Sequence, residues 1–234
     1  MEKYKIGASV ICMNHLNLLD DIKHADSIGI DYFHIDVMDG DFVPRFGIYP
    51  EIVNEIATTT SVGLDIHLMV RDVFFGVEQF ASCGKIKNIT FHLDGNEERV
   101  YQIFDYIKSF DENIHVTLAV NLSTSLNHVC QILSDNIIKS LMFMGIHPGV
   151  LVQKHRPENV IQSLSYLRNA GVIPSIIQCD GGVAFDTLCD LRNAGVNSFV
   201  CGSSTLYKGV SNCTTNEERK NLASENFKKI HSFL

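Results

Sequence analysis

Eight times in 234 residues the chain passes from a short β-rich apolar run to an amphipathic stretch with helical spacing, a repeat of close to thirty residues. Strands are expected at Lys5 to Ile11, Ile30 to Val37, Val62 to His67, Ile86 to Phe91, Ile114 to Val120, Ile137 to Met144, Ile173 to Cys179 and Ser198 to Cys201. Between them, helices are expected at Leu16 to Ile28, Glu51 to Ala57, Val73 to Ala81, Glu97 to Phe110, from an N-cap at Ser123 to Leu133, at Pro157 to Asn169, Phe185 to Ala194 and Asn216 to Phe233. Strict alternation predicts a parallel sheet covered by helices. A doubly wound open sheet competes with a closed barrel, but the first strand segment, with Gly7-Ala8-Ser9, leads into no G-x-G-x-x-G of the kind a dinucleotide fold carries. Eight units in this length close a (β/α)8 TIM barrel, an α/β fold, as a single domain over residues 1–234.

The chemistry-bearing residues fall at strand ends. In Phe33-His34-Ile35-Asp36-Val37-Met38-Asp39-Gly40, alternation puts His34 and Asp36 on one face, roughly 7 Å apart along the backbone. His67 ends strand three and Asp180 ends strand seven, each before turn residues. A lone strand histidine is more often a hydrogen-bonded core group. Ionisable groups at three such ends instead make His34, Asp36, His67 and Asp180 a four-ligand set for one divalent metal, with Zn, Mn, Co and Fe comparably suited. In a closed barrel Asp36 and Asp180 face one another across the mouth, an arrangement that can take a proton from one face of a substrate carbon and return one to the other. A carboxylate alone is too weak a base for a carbon acid, so the metal is needed to stabilise an enediolate. Met38, Met69 and Met144, at the ends of strands two, three and six, are read as a water-poor cap over the reacting carbon rather than as core filling.

Composition narrows the partners. A net charge of −8 leaves no basic surface for nucleic acid. No run of eighteen apolar residues and no N-terminal signal after Met1-Glu2-Lys3 is found, so a cytoplasmic protein without a membrane contact is expected. Seven scattered cysteines without a C-x-x-C pair indicate neither a disulfide framework nor a zinc knuckle. His92 and Asp94 are read as partners behind the metal ligands, and His15, His24, His128 and His231 as helix or surface histidines; Arg45, in the loop after strand two, is a candidate anion contact, with a solvated surface arginine the favoured reading.

Five segments carry a resemblance: Ala8-Ser9-Val10, His34 to Pro44, Leu64-Asp65-Ile66-His67-Leu68-Met69, Met144-Gly145-Ile146-His147-Pro148-Gly149 and Asp180-Gly181-Gly182. In order and spacing the chain resembles the ribulose-phosphate 3-epimerase family over nearly its whole length. Ser9 to Asn14 and Tyr32-Phe33-His34 are more similar to the allulose-6-phosphate 3-epimerase branch. The resemblance implies a metal-dependent epimerase inverting C3 of a ketose phosphate, of the D-ribulose 5-phosphate or D-allulose 6-phosphate type. It makes Asp36 and Asp180 the acid/base pair and Ser9 a contact near the substrate. A homo-oligomer is expected. Substrate contacts are also expected from Gly149, Gly181, Gly182, Gly202 and Ser203, where backbone amides suit a phosphate. The family's strand-six loop, N-P-G-F-G-G-Q, is His147-Pro148-Gly149-Val150-Leu151-Val152-Gln153 here, with Leu151 and Val152 replacing glycines. A sugar-phosphate decarboxylase on the same barrel is disfavoured by the lack of a D-x-K-x-x-D run. A non-catalytic sugar-phosphate-binding paralogue is the alternative; the altered loop favours it and the retained aspartates oppose it.

Overall fold

A computed structural model describes residues 4–150, 153 and 155–234. Among these, eight parallel strands follow one another in sequence order: β1 (Lys5–Ser9), β2 (Tyr32–Met38), β3 (Gly63–Met69), β4 (Ile86–His92), β5 (His115–Val120), β6 (Ser140–Met144), β7 (Ile176–Asp180) and β8 (Ser198–Cys201). Strand β8 pairs back onto β1 and closes the (β/α)8 barrel. The helices are α1 (Leu18–Ile28), α2 (Pro50–Thr59), α3 (Val73–Phe80), α4 (Val100–Phe110), α5 (Leu126–Ser134), α6 (Pro157–Asn169), α7 (Leu188–Ala194) and α8 (Asn216–Phe233).

Period-two alternation divides each strand between two environments. Phe33, Ile35 and Val37 of β2 and Leu64, Ile66 and Leu68 of β3 are buried toward the helical layer, and Leu68 lies against Gly76 of α3. Each contributes about 1.5–3 kcal/mol of apolar burial. The intervening residues point into the barrel and are polar. Around its lower interior, hydrogen bonds run from Ser198 to Tyr32 (2.9 Å), to Gln178 (2.9 Å), to Asp65 (2.8 Å), to Asn88 (2.6 Å), to Thr117 (2.9 Å) and to Ser140 (2.7 Å). Seven strands are thereby stitched by side chains, each buried polar group finding a partner as low dielectric demands.

Several boundaries differ from expectation for local reasons. Strand β1 stops at Ser9 because Val10–Cys12 tightens into a 3-10 turn, with the Met13 amide on the Val10 carbonyl at 3.0 Å. Strand β7 begins at Ile176 rather than Ile173, since Pro174 has no amide to give a ladder. Asn136, at φ +58°, ends the turn after α5 and delays β6 to Ser140. Ser123 does not cap α5. The Thr124 hydroxyl accepts from the Asn121 amide (2.8 Å) and donates to Asp94 (2.7 Å), so this stretch is a turn and the helix starts at Leu126. Turns bonded from Asn96 to Arg99 and from Ala184 to Thr187 likewise delay α4 and α7. Helix α8 starts with a reciprocal cap between Thr215 and Glu218.

Candidate active site

The register of β2 on β3 sets Asp36 beside His67 and His34 beside Asp65. His34 Nε2 lies 3.5 Å from Asp36 Oδ1 and 3.8 Å from Asp180 Oδ2, and His67 Nδ1 lies 3.4 and 3.6 Å from the same oxygens. One ligand atom from each of His34, Asp36, His67 and Asp180 falls within 4.8 Å of the others. The barrel therefore brings the four predicted ligands to one point. Ligand bonds of about 2.1 Å in a tetrahedron put donors about 3.4 Å apart, close to these separations. His34 Nε2 and His67 Nδ1 are buried without a hydrogen-bond partner, the condition of ring nitrogens awaiting an electrophile. The donor set fits a divalent metal.

Each ring is held from behind. His34 Nδ1 is 2.8 Å from Asp65 Oδ2, which fixes a proton there and leaves Nε2 as the ring atom turned toward the other ligands. His67 Nε2 is 2.9 Å from His92 Nε2. Burial pushes His92 well below the ordinary histidine range, leaving it a neutral acceptor for the His67 proton. Asp94 does not take part in this pair; it accepts from Asn121 and Thr124. Asp65, unassigned by the sequence reading, was detectable as the residue two before His67, on the same strand face.

The two aspartates titrate apart. Burial alone would raise the Asp36 carboxyl, but the His34 and His67 rings outweigh it and hold the group well below the usual carboxylate range. Burial, with the Asp36 charge adding to it, raises Asp180. Burial would depress His34, yet Asp65 and Asp36 on either side raise it well above the histidine range.

Asp36 and Asp180 open into a cavity of about 450 Å³ at the C-terminal ends of the strands, a size suited to a small ligand. Ser9, Met38, Met69 and Met144 line it with Gly149, Gly181, Gly182, Gly202 and Ser203, so every predicted substrate-contacting position borders one space. Ser9 Oγ donates to Asp36 Oδ2 at 3.2 Å. Met38 and Met69 pack with Val43, and Met144 with Ala119 and Met142, giving two apolar patches rather than one cap. Gly181 and Gly182 turn at φ +86° and +68°, which side chains rarely adopt. Gln153 closes the loop after β6 by accepting from the His147 amide (3.0 Å) and donating to the Val150 carbonyl (2.8 Å). Leu151 and Val152 lie outside the described residues. Arg45 is not a solvated arginine as expected: it is half-buried and borders the cavity.

Against known proteins, the profile of the ribulose-phosphate 3-epimerase family matches residues 5–206. The chain belongs to the ribulose-phosphate 3-epimerase family. Membership makes it an epimerase of sugar phosphates, an isomerase acting on carbohydrates. It is 29% identical to the ribulose-phosphate 3-epimerase of Buchnera aphidicola subsp. Acyrthosiphon pisum, over 99% of this chain and 100% of that one. It is 31% identical to the Methanocaldococcus jannaschii enzyme of the same name, over 87% and 85%. The cytoplasmic isoform of Oryza sativa subsp. japonica is 29% identical, over 86% of each chain. Among solved structures, 3-hexulose-6-phosphate synthase from Salmonella typhimurium superposes with a TM-score of 0.66 at 13% identity, over 97% of this chain and 100% of that one. This likeness is one of fold. Among the described residues no helix is long and apolar enough to cross a membrane.

Proposed function

We propose that the chain inverts C3 of a ketose phosphate by moving protons between Asp36 and Asp180, with a divalent metal held between them. The observation that carries this reading is the convergence of the two carboxyls. They come from β2 and β7, on opposite sides of β1 and β8, and are 7% and 9% exposed into one cavity. Asp36 takes the C3 proton from one face and Asp180 delivers one to the other, each reaching the shared cavity from its own strand. Ser9 orients Asp36 through its 3.2 Å hydrogen bond. The methionine patches keep water from the reacting carbon. A divalent ion on His34, Asp36, His67 and Asp180 supplies Lewis-acid stabilisation of charge developing on the oxygens beside C3. The amides of Gly181, Gly182, Gly202 and Ser203 suit the phosphate.

The names of the relatives support a five-carbon substrate, and the resemblance of residues 9–14 supports a six-carbon one. Both share the reacting carbon and the anionic end. A cytoplasmic location agrees with the rice isoform's name. Self-association agrees with exposed apolar side chains such as Leu16 and Phe46, and sedimentation tests it.

The deciding experiment incubates the purified protein in D2O with a panel of phosphorylated and unphosphorylated ketoses and follows deuterium uptake at C3. Epimerisation confined to a ketose phosphate is expected. Binding without exchange supports the non-catalytic paralogue instead, and equal turnover of unphosphorylated ketoses overturns the phosphate requirement.

A further inference from the structure

Among the described residues lining the cavity, Asp36 and Asp180 are the carboxylates, and Arg45 is the one Lys or Arg. In a protein of net charge −8 a cation at the cavity wall is what draws a phosphate monoester to this opening. Arg45 makes no ion pair with a described residue, whereas nearby Arg71 pairs with Asp41 at 3.4 Å. A half-buried arginine that borders a cavity and has no ion-pair partner among the described residues is a charge available to a ligand.

Its placement is fixed by the backbone. After β2 the chain folds back on the strand it has left: Asp39 bridges Phe46, the Gly47 amide reaches the Met38 carbonyl (3.0 Å), and the Ile48 amide reaches the Asp36 carbonyl (2.9 Å). Asp39 Oδ1 holds the amides of Asp41 and Phe42 at 2.9 and 2.8 Å. Val43 sits so close to Gly149 that a Cβ there would lie 2.6 Å from it, so the loops after β2 and β6 touch. Arg45, two residues on from Val43, therefore stands where the two loops meet, and the aspartates lie at the strand ends beneath.

We propose that Arg45 is a specificity residue that grips the phosphate of the substrate, an inference that rests on the epimerase reading. The phosphate lies two or three carbons from C3 in a five- or six-carbon ketose phosphate. With C3 at the aspartates on the floor, the anionic end reaches toward the loops. Guanidinium offers a phosphate two parallel N–H donors, which lysine does not.

The test compares wild type with Arg45→Met, which keeps an unbranched apolar stem and loses the charge, and Arg45→Lys. Binding of inorganic phosphate is measured by calorimetry, and KM and kcat are measured with the ketose phosphate. Arg45→Met should weaken phosphate binding and raise KM by roughly ten- to a hundredfold, with a much smaller fall in kcat; Arg45→Lys should recover part of the loss. Phosphate binding unchanged in Arg45→Met, or absent in wild type, overturns the inference while leaving epimerisation intact. Phosphate held through Arg45 without turnover of any ketose phosphate would overturn the epimerase reading and keep the anion site.

Discussion

His34 Nδ1 meets Asp65 Oδ2 at 2.8 Å, and the same carboxylate is gripped by Gln178 at 2.8 Å and Asn88 at 2.6 Å. The polar girdle of the lower barrel thus ends on the back of a metal-ligating ring. Asp65 is 4% exposed, and burial would raise its carboxyl; the His34 charge and the surrounding donors outweigh that and keep it low. A carboxylate so held sets both the tautomer and the basicity of the imidazole it faces.

Asp65→Asn should therefore lower metal affinity by roughly ten- to a hundredfold without touching a ligand. His67→Ala, which removes a ligand, should lose most of the metal. Metal content after dialysis, by elemental analysis, ranks them: wild type, then Asp65→Asn, then His67→Ala. Full occupancy in His67→Ala would sink the metal assignment.

The ligand set was legible in the sequence because buried strands are mostly apolar, and an ionisable residue just before a turn stands out against them. The girdle was not. Tyr32, Asn88, Thr117, Ser140 and Ser198 each resemble the polar half of an ordinary alternating strand, and only barrel closure brings them together. Arg45 was misread for a related reason: the fold-back of residues 46–48 onto β2 rests on backbone hydrogen bonds that leave no mark in residue type. Ser123 and Thr124 compete for the same turn, and propensity alone does not say which hydroxyl finds Asp94.

Asp26 gives a pH-dependent prediction away from the site. It accepts from the Ser61 amide (2.7 Å), the Ser61 hydroxyl (2.9 Å) and the Thr60 hydroxyl (3.1 Å), tying α1 to the approach to β3. Burial works to raise it, but these bonds prevail and hold it below the usual carboxylate range. A depressed carboxyl stabilises the fold above its unfolded pKa, and that contribution is lost as pH falls through the folded value. At this half-exposed position solvent screening keeps the term small. Asp26→Asn should cost about 1 kcal/mol at pH 7, ~2–4 °C in Tm, and the gap should close in acid. A gap constant from pH 7 down to pH ~2 would show that charge is not its origin.

Gly47 tests whether the fold-back positions the site. A Cβ there would lie 2.3 Å from the Asp36 carbonyl oxygen and 2.6 Å from the Met38 amide nitrogen, both backbone atoms that cannot swing aside. Gly47→Ala should push the loop off β2, cost about 1–3 kcal/mol of stability and raise KM for the ketose phosphate. Denaturant unfolding and steady-state kinetics measure the two effects. Wild-type values in both would mean that the loop's seat on β2 does not matter.

Asp36 and Asp180 provide the sharpest test of the chemistry. Asparagine keeps the shape of each side chain and its oxygen, but it cannot carry the proton. Asp36→Asn and Asp180→Asn should each abolish net inversion at C3. Each aspartate serves one face in the proposed scheme, so a variant retaining one base should still exchange the C3 proton of one epimer with solvent, and the two variants should favour opposite epimers. Because both residues also belong to the ligand set, metal content is measured first and exchange is followed in metal-loaded protein by NMR in D2O. Loss of inversion with one-sided exchange separates a missing base from a missing metal, which would silence both epimers together. Near wild-type inversion by either variant would exclude proton transfer between these two carboxyls.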